Sequence, residues 1–189
     1  MEELKELKQR MAQQRPAPWE ALPDLSLYMD QLIGYMPRQL IHYGDEEGLT
    51  SAMVNNYIKD GLLPRAEGKR YSQTHLAYLT AICAMKQVLP VKDAGLLARM
   101  EEGGDRAAYE HFCRTLDATL TDVSQRLDPD VEEDQLPQLA LELALRSYAN
   151  KLACQRVIDL IREREEQERA KEEARDKGKK SKKEGESKS

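Results

Sequence analysis

Between Thr50 and Gly61 the apolar positions fall three and four apart, so that Met53, Val54, Tyr57 and Ile58 share one face of a predicted helix. The opposite face carries Ser51, Ala52, Asn55, Asn56 and Lys59. Thr50 is placed to cap the helix, its hydroxyl accepting from a first-turn N–H. Gly61 is placed to stop it as a C′ glycine does. After it, Leu62-Leu63-Pro64-Arg65 and Lys69-Arg70-Tyr71 flank the short loop Ala66-Glu67-Gly68, a pattern that predicts a β-hairpin. Ser72 then caps a helix on which Leu76, Leu79, Ile82 and Cys83 recur, ended by Pro90 and followed by a short helix over 91–100.

The same reading covers the flanks. Residues 1–15 form a charged helix with Leu4, Leu7 and Met11 as a thin apolar stripe, and Pro16, Pro18 and Pro23 mark a linker. Residues 27–36 and 37–43 read as two helices, with Tyr28, Leu32 and Tyr35 on one core-facing side. Beyond Gly103-Gly104, the series Tyr109, Phe112, Leu116, Leu120, Val123 and Leu127 marks the clearest amphipathic helix of the chain. Pro137 opens another, with Leu141, Leu145, Tyr148 and Leu152 on one stripe, resumed at Val157, Leu160 and Ile161. That stripe serves either a hairpin packed on its own domain or a homodimer through the C-terminal helices.

Helix, glycine, basic hairpin and capped helix, in that order, describe a winged helix-turn-helix. Its exposed face suits a major groove: small residues allow approach, Asn pairs bidentately with adenine, and Lys meets phosphate. The expected double-stranded DNA contacts are Ser51, Ala52, Asn55, Asn56 and Lys59 from the recognition helix, with Arg65, Lys69 and Arg70 from the wing. The fold class expected is mostly α: a winged helix-turn-helix with one small β-hairpin, then a helical C-terminal region. Residues 1–20 are a helical arm and linker, 21–102 the winged domain, 103–165 a helical hairpin region, and 166–189 a charged disordered tail too polar to order itself.

These residues resemble the N-terminal half of MerR-type regulators at Gly61-Leu62-Leu63-Pro64, at Tyr71-Ser72 and at Tyr57. The chain departs from them at Asn55-Asn56, which replace an Arg-Tyr pair, so those phosphate contacts do not carry over. The turn over 44–49 is also longer and more acidic than a helix-turn-helix normally has. A closer resemblance is to an uncharacterised family of Gram-positive bacterial proteins regarded as regulators. Its three motifs stand here as Leu27-Tyr28-Met29-Asp30-Gln31, Thr50 through Lys59, and Lys69-Arg70-Tyr71-Ser72. The resemblance spans about Leu22 to Met100. It brings little function with it, because that family has no established activity, and its link to winged-helix proteins is an analogy of fold.

Composition narrows the alternatives. The formal net charge of −5 argues against indiscriminate nucleic-acid binding. Between Thr50 and Lys92, however, six basic residues face two acidic ones, a local surplus of +4. Cys83, Cys113 and Cys154 are far apart and odd in number, so neither a disulfide framework nor a zinc site is expected. His42, His75 and His111 lack metal spacing, and Gly103-Gly104 lacks the Lys-Ser/Thr of a phosphate loop. No catalytic residue, metal or cofactor is therefore expected. With no membrane-length apolar run and no signal-like N-terminus, a cytoplasmic location and no membrane partner are expected. The runner-up function is a protein–protein interaction module on the same fold without DNA binding, which Asn55-Asn56 and the overall acidity favour.

Overall fold

The computed structural model describes residues 2–41, 48–99 and 103–186. Seven α-helices are present among them: α1 Glu2–Gln13, α2 Met29–Tyr35, α3 Ser51–Lys59, α4 Gln73–Met85, α5 Val91–Leu97, α6 Asp105–Arg126 and α7 Leu136–Glu186. The chain divides into two units, 1–135 and 136–189. Among the described residues no helix is long and apolar enough to cross a membrane.

The expected β-hairpin of a winged helix-turn-helix is absent. Among the described residues there is no strand and no sheet, only two isolated antiparallel bridges, Leu27 with Tyr71 and Glu67 with Arg70. The fold class is therefore all-α. Two causes prevent a ladder. Pro64 has no N–H to donate, and Leu62, Leu63 and Tyr71 are drawn into the core, which bends both arms inward.

The first unit is built around α4. Seven of its thirteen residues are buried, among them Leu76, Leu79 and Ile82, so it is covered on nearly every side. α5 and α6 pack against it, and Leu32 of α2, Val54 and Tyr57 of α3, Ala94 of α5 and Tyr109 of α6 share its buried core. Together these form one continuous core. Gly95 of α5 lies so close to the turn after α3 that an added Cβ would stand 2.5 Å from Leu62 Cδ2.

α6 belongs to this first unit, so the boundary expected at 102/103 falls after Gln135 instead. α1 and the proline linker run along α6 and are strapped to it. Lys8 Nζ donates to the Leu127 carbonyl at 2.6 Å, Arg15 pairs with Asp117 at 2.5 Å, and Tyr109 Oη donates to the Ala17 carbonyl at 2.7 Å. Residues 37–43 form no helix where described; Met36–Arg38 make a single 3-10 turn, while His42 and Tyr43 lie outside the described residues. Most of the acidic turn over 44–49 lies outside them too.

The second unit is the helix α7, which continues to Glu186 through the segment read from sequence as a disordered tail. Its dense Glu, Lys and Arg content accounts for this, since these are strong helix formers supported by i,i+4 pairs such as Arg169 with Glu165. Leu141, Leu145, Tyr148 and Leu152 are each at least 50% exposed.

Candidate nucleic-acid interface

α3 forms as its sequence dictates. Thr50 Oγ1 accepts from the Met53 N–H at 3.2 Å, closing the N-terminus. At the other end Gly61, at φ 69°, turns the chain into the left-handed region. Leu62 N then donates to the Tyr57 carbonyl at 2.7 Å and Gly61 N to the Ile58 carbonyl at 3.0 Å. This bond pair is a Schellman motif, and Leu62 and Tyr57 supply its buried apolar contact.

The helix buries Val54 and Tyr57, half-buries Met53 and Ile58, and leaves Ser51, Ala52, Asn55, Asn56 and Lys59 exposed. Burial raises the Tyr57 phenol pKa above its ordinary value, consistent with a core role. All five expected recognition residues therefore share one solvent face. Neither Asn55 nor Asn56 spends its amide on another described residue, which leaves both free to pair with something outside the chain.

The basic segment that follows is a tight turn rather than a wing. Gly68 at φ 56° and Lys69 at φ 63° occupy the two central positions, and Arg70 N donates to the Glu67 carbonyl at 2.9 Å. Positive φ at both positions is the signature of a type I′ turn. The chain then reaches Tyr71, which exchanges two 2.8 Å backbone bonds with Leu27. Arg65, Lys69 and Arg70 are all exposed on this segment. Arg70 is already engaged: its guanidinium lies 4.9 Å from the Tyr28 ring centroid and donates to Tyr28 Oη at 2.9 Å. Tyr28, read from sequence as a core residue, is 48% exposed and serves as this platform. Only its own motif hinted at it, since 42 positions separate it from Arg70.

His75 secures the turn from beneath. Its Nδ1 accepts from the Ser72 N–H at 3.0 Å, filling the place of the usual Glu or Gln of a capping box. Nε2 must then carry the proton and donate to the Pro64 carbonyl at 3.2 Å. Burial holds the imidazole pKa below its ordinary value, so the neutral ring is the favoured form. Tyr71 packs edge-on against the ring at 5.3 Å. This histidine has a structural duty, which the scattered spacing of the three histidines did not disclose.

Elsewhere the chemistry is sparse. Among the described residues no group of three or more His, Cys, Asp or Glu is arranged to hold a metal. Cys83, Cys113 and Cys154 are free thiols.

Compared with known proteins, residues 17–111 match the family model described as Domain of unknown function (DUF1836). That span takes in α2 through α5, the basic turn and the start of α6. No curated protein and no solved structure matches the chain.

Proposed function

We propose that this chain, which belongs to the DUF1836 family, binds double-stranded DNA sequence-specifically and acts in transcriptional control. One observation carries the reading: α3 presents Ser51, Ala52, Asn55, Asn56 and Lys59 on a single exposed face, with both amides unspent. An exposed helix of this kind fits the width of a major groove, where Asn reads adenine and a small side chain accommodates a thymine methyl. Arg65 and Lys69, on the turn that follows directly, supply cations for the flanking phosphates. With few such cations and an acidic remainder, binding depends on base contacts more than on charge.

The proposal includes a homodimer paired through α7, whose exposed stripe at Leu141, Leu145, Tyr148 and Leu152 follows the four-three-four spacing of a coiled-coil seam. A second reading, a protein partner on the α3 face, draws support from Arg70, whose guanidinium is held by Tyr28 rather than free for phosphate.

Selection from a random duplex pool at physiological salt tests the proposal. Asn55→Ala or Asn56→Ala should weaken the selected duplex by about 1–3 kcal/mol and relax base preference locally. Arg65→Ala with Lys69→Ala should weaken all duplexes alike and lower the slope of log affinity against log salt by about two. Absence of salt-dependent duplex binding even at low ionic strength would sink the DNA reading and leave the protein-partner reading standing.

A further inference from the structure

A cavity of about 230 Å³ opens in the first unit, on the side of α4 formed by its last turn. Its wall is largely apolar, with Met36, Leu40, Leu49, Leu116 and Leu120 contributed by three separate stretches of chain. The polar groups in the wall are mostly committed. Gln14 Nε2 donates to the Leu40 carbonyl at 3.1 Å, and Gln39 Oε1 accepts from the Ala17 N–H at 3.1 Å. One charged side chain lines the cavity, Lys86, and no acidic residue does so among the described residues. Lys86 is half-buried and makes no ion pair among the described residues. Beside it on the same turn lies the Cys83 thiol, also in the wall.

We propose that this cavity binds a small apolar monocarboxylate, its hydrocarbon body against the leucines and its carboxylate on Lys86. Two physical arguments select that class. An apolar hollow with one cation, unpaired among the described residues, is complementary to a molecule with an apolar body and one negative end. A dry cavity of 150 Å³ accommodates benzene, so the volume here suits roughly nine or ten non-hydrogen atoms. Two positive or two negative groups would be mismatched, and a fully polar ligand would bury groups with no hydrogen-bond partner along the leucine wall. Lys86 also closes the C-terminal end of α4, where a cation is favourable in any case. The preference for an acid over an equally long alcohol separates the two roles.

Octanoate, octanol and octylamine are the probes, titrated calorimetrically into the full chain. Octanoate should bind saturably and about tenfold more tightly than octanol, the worth of one charge-assisted contact, and octylamine should not saturate. Lys86→Met should make the acid and the alcohol equal while unit one still melts cooperatively. In a Cys113→Ser, Cys154→Ser chain, octanoate should slow labelling of Cys83 by a neutral maleimide, placing the acid in this cavity. Leu120→Trp should abolish both effects by filling the space. Equal binding of all three probes, or octanoate binding that leaves Cys83 labelling unchanged, overturns the proposal. So does the absence of binding, the result expected if side chains of this chain already occupy the hollow. None of these readouts depends on DNA.

Discussion

Replacing Gly95 with alanine probes how tightly the basic turn is seated on the core. The new methyl would lie 2.5 Å from Leu62 Cδ2, 3.2 Å from its Cγ and 3.3 Å from its Cβ. Carbon atoms prefer about 3.5–4.0 Å, so the closest contact is about 1 Å too short. Rotating Leu62 could move Cδ2, but not Cβ. The Leu62 backbone is held by its bond to the Tyr57 carbonyl at 2.7 Å, with Leu63 N on the same carbonyl at 3.2 Å. Overpacking of this kind costs about 1–3 kcal/mol. Alanine returns about 0.5–1 kcal/mol through its better helix propensity. The net loss should be about 1–2 kcal/mol, which lowers the melting temperature by roughly 3–8 °C in a unit of this size. Thermal unfolding followed by circular dichroism measures it directly. In a Leu62→Ala background the 2.5 and 3.2 Å contacts disappear and only the 3.3 Å approach to Cβ remains, so the same Gly95→Ala change should cost much less. If Gly95→Ala alone melts at or above the unaltered protein, the close seating of α5 on the turn is wrong.

Two further outcomes follow from the same geometry. The folded-state pKa of His75 lies below its ordinary value of 6.5, so its contribution is fully present above that pH and is lost as pH falls through the lowered pKa; melting temperature should therefore drop more steeply on acidification than in His75→Gln, which keeps an acceptor for Ser72 but carries no titrating proton. For the proposed dimer, Leu145→Glu with Tyr148→Glu should halve the mass measured by light scattering while leaving the melting of unit one in place, and an unchanged mass would remove α7 as the pairing surface.

What could be read in the sequence was local. Thr50, Gly61 and the apolar series Met53 to Ile58 each act within a few residues, so spacing alone placed α3, its two ends and its solvent face. Beyond Pro64, the hairpin failed for a non-local reason. Gly68 and its neighbours do make the turn, but the two arms are claimed by the core and by Leu27, which lies outside any local window. Tyr28 was misread because its helical face was taken from α2 alone, whereas it precedes that helix and meets Arg70 from a distant segment. Likewise α6 shows its apolar stripe plainly, but nothing in that stripe says that α1, the proline linker and α4 will cover it. The cavity depends on five stretches meeting, and no motif records such a meeting.

The burial of α4 on almost every side has a consequence for how the first unit can come apart. A helix packed along one stripe can peel away and leave its neighbours standing. A helix whose buried side chains share one core with residues of α2, α3, α5 and α6 cannot, because its departure opens the core that all four line. Partial opening is therefore confined to the rim, and the face of α3 persists or vanishes together with the whole unit. The exposed positions of α3 can correspondingly vary without disturbing the core beneath them.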